Sequence, residues 1–170
     1  MKQFKDFDRS LLNDYSERLL DRFLNAFPKE KIYNLQNTDK WVRPGENDDF
    51  IGAWVLEWIP PSGDSELNIE LRSSEKQLII SWISDHEHFI NFDQSDGDPE
   101  AEDCLNKLAE IFTEQVVHVN LFGKDSPYYI KANWLKPEEV EDFVRKNEQA
   151  IRYEVNSWRG TYDKVVQLEM

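Results

Sequence analysis

Apolar positions follow two spacings along this chain, one helical and one alternating. Leu11, Leu12, Tyr15, Leu19, Phe23 and Leu24 form a stripe at helical spacing. They predict an amphipathic helix that opens at Asp8 or Ser10 and ends near Phe27, before Pro28. Residues 28–50 hold no sustained period, and Asn37, Pro44, Gly45 and Asn47 mark loop. A strand is predicted over 51–59, closed by Pro60-Pro61-Ser62-Gly63. Over 66–72, Leu67, Ile69 and Leu71 alternate with Glu66, Asn68, Glu70 and Arg72, the pattern of a half-buried antiparallel strand. Residues 77–84 are apolar on both faces and read as a central strand, and 86–92 as a fourth.

Gly97-Asp98-Pro99 then opens a second helix, with Ala101, Cys104, Leu105, Leu108, Ile111 and Phe112 on its inner side. Residues 115–122 and 128–134 flank Gly123-Lys124-Asp125-Ser126 and predict a hairpin. Pro137-Glu138-Glu139 opens a final helix, predicted to run to about Trp158 because Val140, Phe143, Val144, Ile151, Val155 and Trp158 line one side. The fold class is therefore α+β. It comprises an antiparallel sheet, a four-strand meander plus a hairpin, with about three helices packed mainly on one face. Residues 1–170 read as a single globular domain.

Composition supports a packed core. The chain is 39% hydrophobic and 13% aromatic, with six Trp, unlike a disordered acidic tail. No apolar run approaches the roughly 18 residues of a membrane helix. The first twenty residues carry charge throughout and no signal-peptide core, and the single Cys104 excludes an internal disulfide. The expectation is a cytoplasmic protein that calls for no cofactor and no membrane.

Charge changes the picture more than composition does. Residues 44–106 hold sixteen Asp and Glu against only Arg72 and Lys76, a net of −14, while the rest of the chain holds eighteen acids and eighteen bases. Such segregation makes a directed field that attracts basic partners and repels nucleic acid.

Candidate chemistry is sparse. His86 and His88 stand two apart on a predicted strand, so both face one side and could share a metal, with Glu87 pointing away and Asp93 or His118 as a third ligand. Two ligands without a spaced third leave the simpler reading, a polar strand end with no metal, in front. Asp93 to Asp98 fails the calcium-loop pattern, because aligning Gly97 with its invariant glycine puts Phe92 and Gln94 at ligand positions. Cys104 sits on an inner helical stripe with no base between Lys76 and Lys107 to activate it. Gly123 to Ser126 lacks the second glycine of a phosphate loop. No catalytic residue is assigned. The aromatics Phe50, Trp54, Trp58, Trp82, Phe89 and Phe92 interleave with the acids, and Trp54 and Trp58 share parity on their strand. Ordinary core is the leading reading of that face, and aromatic anchors within an acidic rim, the composition of an interface, are the functional one.

The segments FIGAWVLEW, LIISWISDHEHFINF and NWLKPEEVEDFVRKNEQAI give the chain the general character of a known group. It resembles the small acidic α+β immunity proteins of bacterial polymorphic-toxin and contact-dependent inhibition systems. The resemblance implies a non-catalytic protein that binds and neutralises a basic, nuclease-type toxin domain. A DNA-mimic inhibitor, or a metal-dependent enzyme using His86 and His88, are the alternatives. On this reading the partner-binding surface comprises Asp48, Asp49, Glu57, Glu66, Glu70, Asp85, Glu87, Asp93, Asp96 and Asp98, with Trp58 and Phe92 as apolar anchors. The partner is a basic protein, without direct nucleic-acid binding.

Overall fold

The computed structural model describes residues 4, 7–38, 51–74, 77–83, 85–90, 98–124, 126 and 128–168. The chain forms two compact units, Met1–Lys107 and Leu108–Met170. Both carry antiparallel sheets with helices packed against them, an α+β fold.

In the first unit, Asp8 caps a 3-10 turn at Arg9–Leu11 by accepting from Ser10 N–H at 2.9 Å. The helix proper, α1 (Asp14–Ala26), starts a few residues later than the Asp8 or Ser10 opening expected from sequence, because Asn13 supplies the cap to Ser16 N–H at 2.8 Å. Ser16, Leu19, Leu20 and Phe23 are its buried positions, three or four apart.

The sheet is a five-strand meander in chain order: β1 (Lys31–Asn37), β2 (Trp54–Ile59), β3 (Ile69–Ser73), β4 (Gln77–Trp82) and β5 (Asp85–Ile90). β1 falls where a loop is expected from sequence. Its register steps from Ile32↔Trp58 to Asn34↔Glu57, so Tyr33 is a bulged residue that breaks the alternation. Across the sheet, Leu35, Leu56, Leu71, Ile80 and Glu87 form one row, and Ile32, Trp58, Ile69, Trp82 and Asp85 another on the same face. Apart from Ile32 and the two acids on edge strand β5, these residues are buried.

α1 covers this face. The Trp54 indole N–H donates to Ser16 C=O at 2.8 Å, the Trp54 backbone N–H donates to Ser73 Oγ at 2.9 Å, and the Ser16 and Ser73 hydroxyls lie 2.9 Å apart. Phe23 packs on Trp54 at 5.8 Å between ring centroids. Helix α2 (Pro99–Phe112) begins where Pro99 predicts and buries Ala101, Cys104, Leu108 and Ile111. The division between the two units falls within it.

The second unit has β6 (Val117–Gly123), β7 (Tyr129–Leu135), β8 (Ala150–Asn156) and β9 (Lys164–Gln167), in sheet order β7-β6-β8-β9. The predicted hairpin is β6–β7. The predicted long final helix is corrected. It stops at α3 (Val140–Arg145), and β8 follows. Asn147 ends α3, its amide donating to Phe143 C=O at 2.6 Å. A register step between Phe122↔Arg152 and Gly123↔Ala150 bulges Ile151. Val144 belongs to α3 and Trp158 to the turn after β8, while Ile151 and Val155, four apart, fit a strand as well as a helix. β9 occupies what the sequence suggests is a tail. Val117, Val119, Leu121, Val140, Val144, Tyr153 and Val155 share one core.

Helix α2 ends in a left-handed residue, Glu114, with φ 57°. The bonds Gln115 N–H to Glu110 C=O at 2.8 Å and Glu114 N–H to Ile111 C=O at 3.0 Å close the helix around it. Glycine is the usual occupant. Here the carboxylate repays the backbone cost by accepting from Arg159 N–H at 2.7 Å and Thr161 N–H at 3.3 Å. Burial pushes the Glu114 carboxyl upward, but the bonds from Thr161, Arg159 and Ser157 outweigh it and hold the pKa below the ordinary value. Glu114→Ala leaves those amides without this acceptor and should destabilise the protein by about 1–3 kcal/mol, measured by urea unfolding followed by circular dichroism.

Candidate functional site

The first unit carries 23 acids against 12 bases, and the second 11 against 8. Strand register decides where the acids of the first unit go. The face opposite α1 holds the row Asn34, Glu57, Glu70, Ser81 and His86, and beside it Gln36, Val55, Arg72, Ile79 and His88. Glu57 and Glu70 are direct cross-strand neighbours, an arrangement that repels. Each has a local answer: Asn34 Nδ2 donates to Glu57 at 2.9 Å, and Arg72 pairs with Glu70 at 2.7 Å. Both acids are half-buried.

Asp85 and Glu87 point to the other, helix-bearing face of β5. Glu87 pairs with Lys107 of α2 at 3.5 Å. Asp98 is held by both Nε (3.1 Å) and Nη2 (2.6 Å) of Arg18, and the hydrogen bond from Arg18 keeps its carboxyl below the ordinary aspartate value. Arg22 pairs with Glu102, and Tyr15 O–H donates to Glu100 at 2.9 Å. This ladder joins α1 to the first turns of α2. Asp98 and Glu87 thus act inside the fold, with bases far away in sequence.

Three carboxylates, Asp64, Glu66 and the half-buried Asp85, lie at one end of the sheet. Asp64 and Glu66 are exposed in the β2–β3 connection. That connection is fastened to β4 by Trp82 Nε1–H donating to Leu67 C=O at 3.2 Å, and Asp85 pairs across from Trp82. Between them Ile83 lies in the turn from β4 to β5, 37% exposed, with φ 59°. A β-branched side chain in the left-handed region is a strained and unusual choice, since Asn or Gly fills such turns without cost. An exposed apolar residue held at that cost, among three acids, has the make-up of an interface anchor.

Of the surface expected from sequence, Asp48, Asp49, Phe92, Asp93 and Asp96 lie outside the described residues. Glu66 and Asp85 lie at the same end of the sheet, while Glu57 and Glu70 lie on one face and Glu87 and Asp98 take part in the helix-bearing side. Trp58 is corrected as an anchor: it is fully buried, with Phe27 set edge-on at 6.4 Å. Shared parity with Trp54 identified its face, but that face is the core. Ile83 was missed, and its signal was an apolar residue where a two-residue turn wants Asn or Gly.

His86 and His88 do share a side, exposed, with ring centroids 5.1 Å apart, and Glu87 points away. His118, offered as a third ligand, is buried on β6 of the second unit. Among the described residues no three His, Cys, Asp or Glu side chains gather to hold a metal. Cys104 is buried, which pushes its thiol well up, away from a reactive thiolate. A half-open cleft of about 1080 Å³ runs along α1 and β1, lined by Phe7, Leu20, Leu24, Phe27, Ile32 and Leu35, with Arg9 and Asp21 paired at its mouth. It offers apolar area rather than reactive groups. Among the described residues no helix is long and apolar enough to cross a membrane. The chain matches no family model, no curated protein and no solved structure.

Two outcomes follow. Because its folded pKa is depressed, Asp98 contributes stability above the ordinary value of 3.8, and that contribution is lost as pH falls through the lower folded value. Asp98→Asn should lower Tm at pH 7 and flatten its decline between about pH 5 and 2, read by circular dichroism melts. Ile83→Asn relieves the turn and should raise stability by about 1 kcal/mol in urea unfolding.

Proposed function

We propose that this chain is a non-catalytic acidic binding protein, and in its sharpest form an immunity protein that neutralises a basic, nuclease-type bacterial toxin domain. The observation that carries the reading is the charge excess: 34 acids against 20 bases, with the whole formal imbalance of −14 in residues 44–106. Even with every base paired to one carboxylate, fourteen carboxylates stay uncompensated. Internal pairs such as Arg18–Asp98 therefore consume only part of the negative charge. The remainder accelerates encounter with a basic surface, and a nuclease exposes such a surface to hold phosphate.

The sheet end with Asp64, Glu66 and Asp85 around Ile83 is the contact that this reading favours. Its carboxylates would pair with Lys and Arg of the toxin domain, and Ile83 would fill an apolar recess between them. Covering the phosphate-binding surface blocks the nuclease without any chemistry from this chain.

The test uses the basic C-terminal domain of the toxin that this reading expects from the reading frame immediately upstream. Co-expression should protect cells from that domain. Stopped-flow association should slow by about tenfold or more between 50 and 300 mM NaCl, and Glu66→Gln/Asp85→Asn should slow it further and flatten its salt dependence. Ile83→Asn should speed dissociation although it stabilises the fold. A salt-independent association rate, or no complex at micromolar concentration, overturns the proposal.

A further inference from the structure

We propose that His86 and His88 form a two-nitrogen chelate for a divalent transition metal of the zinc class on the outer face of β5. Strand geometry puts side chains two apart on one face, and the cross-strand pairs Ser81↔His86 and Ile79↔His88 fix that face as the one opposite α1. The two rings are exposed and meet edge to face, with centroids 5.1 Å apart. A zinc–nitrogen bond of about 2.0–2.1 Å puts the metal about 3.2 Å from an imidazole centroid, so two imidazoles at a tetrahedral angle have centroids about 5 Å apart. The observed spacing is that of two rings able to share one ion.

Gln77 supplies the second observation. Its side-chain oxygen lies 2.9 Å from His88 Nδ1. In the tautomer in which Nδ1 donates to this oxygen, Nε2 keeps its lone pair for a metal. Ligating histidines are commonly oriented in this way, by an acceptor on the nitrogen that does not bind. The His86 ring has His88 as its only partner among the described residues, so ion binding breaks no hydrogen bond within them.

Among the described residues no third side chain completes the shell, and water can take the remaining positions. Ser81, beside His86, offers a neutral hydroxyl, and Glu70, one strand further along the row, is taken by Arg72. Glu87 lies on the opposite face, paired with Lys107. Two imidazoles and no carboxylate select the borderline metals, zinc, nickel or copper, over calcium and magnesium. The net negative charge of the first unit raises the local concentration of any cation. The site is independent of a protein partner.

The experiment titrates the full chain, made without a polyhistidine tag, with ZnCl2 by isothermal calorimetry, and repeats it with CaCl2. The expected result is one zinc per chain, with His86→Ala and His88→Ala each weakening it by about tenfold or more, and Gln77→Ala by about tenfold. All three side chains are at the surface, and circular dichroism verifies that each variant keeps the fold. Calcium should bind at least tenfold more weakly. No zinc binding at up to about 1 mM, or zinc binding that survives His86→Ala/His88→Ala, overturns the chelate, and the latter result assigns the ion to carboxylates. Gln77→Ala with unchanged affinity overturns the role given to Gln77.

Discussion

The first unit depends on how one large side chain is satisfied in its interior. Trp54 is fully buried near the start of β2, and its indole N–H would carry a heavy desolvation cost without a partner. Ser16 in the first turn of α1 provides the carbonyl, and Ser73 at the end of β3 provides a hydroxyl to the Trp54 backbone. The two serines lie within hydrogen-bonding distance of one another. The network therefore sets both where α1 crosses the sheet and how β2 and β3 align. Gly52, just before β2, tightens the same junction: its carbonyl accepts Asn13 N–H at 2.8 Å, and a Cβ there would come within 2.7 Å of that nitrogen. Backbone polarity, more than apolar area, specifies the helix position, because a shift along the sheet would leave these groups unpaired in the core.

With α1 fixed, the acids divide into two populations. Those of the helix-bearing side are tethered by bases from elsewhere in the chain, Arg18 to Asp98, Arg22 to Glu102 and Lys107 to Glu87. The bidentate Arg18–Asp98 pair has the geometry that makes such contacts count. At the sheet end Asp64 and Glu66 stay exposed and Asp85 is half-buried, with no ion pair to a distant element among the described residues. The charge excess is thus partly structural, fastening one helix to the next, and partly free to act at a distance.

Much of this was legible in the sequence. Alternation at Ile69 and Leu71 of β3 and the Leu19 and Phe23 positions of the α1 stripe translated directly, whereas Ser65–Leu67 forms a 3-10 turn ahead of β3 and Leu11 lies exposed before α1. The start of α2 was marked by Pro99, and the parity of His86, Glu87 and His88 came from strand geometry alone. A bulge hid part of the rest: at Tyr33 an extra residue erased the alternation of β1. Ile151 and Val155, four apart, fit a strand and a helix alike, so β8 read as a continuation of α3. Parity also grouped Trp54 with Trp58 without telling which side helices cover. The pairing of Arg18 with Asp98, separated by 80 positions, left no local trace.

The helix end at Glu114 has an evolutionary corollary. A glutamate codon reaches glycine by a single base change, and glycine would ease the left-handed backbone. The step nevertheless strips the β8–β9 turn of the acceptor for Arg159 and Thr161. The identity of one residue is therefore coupled to the length of a turn 45 positions downstream. An insertion or deletion in that turn would release the constraint and let the helix drift to the more comfortable residue, so homologues should vary at these two places together or at neither.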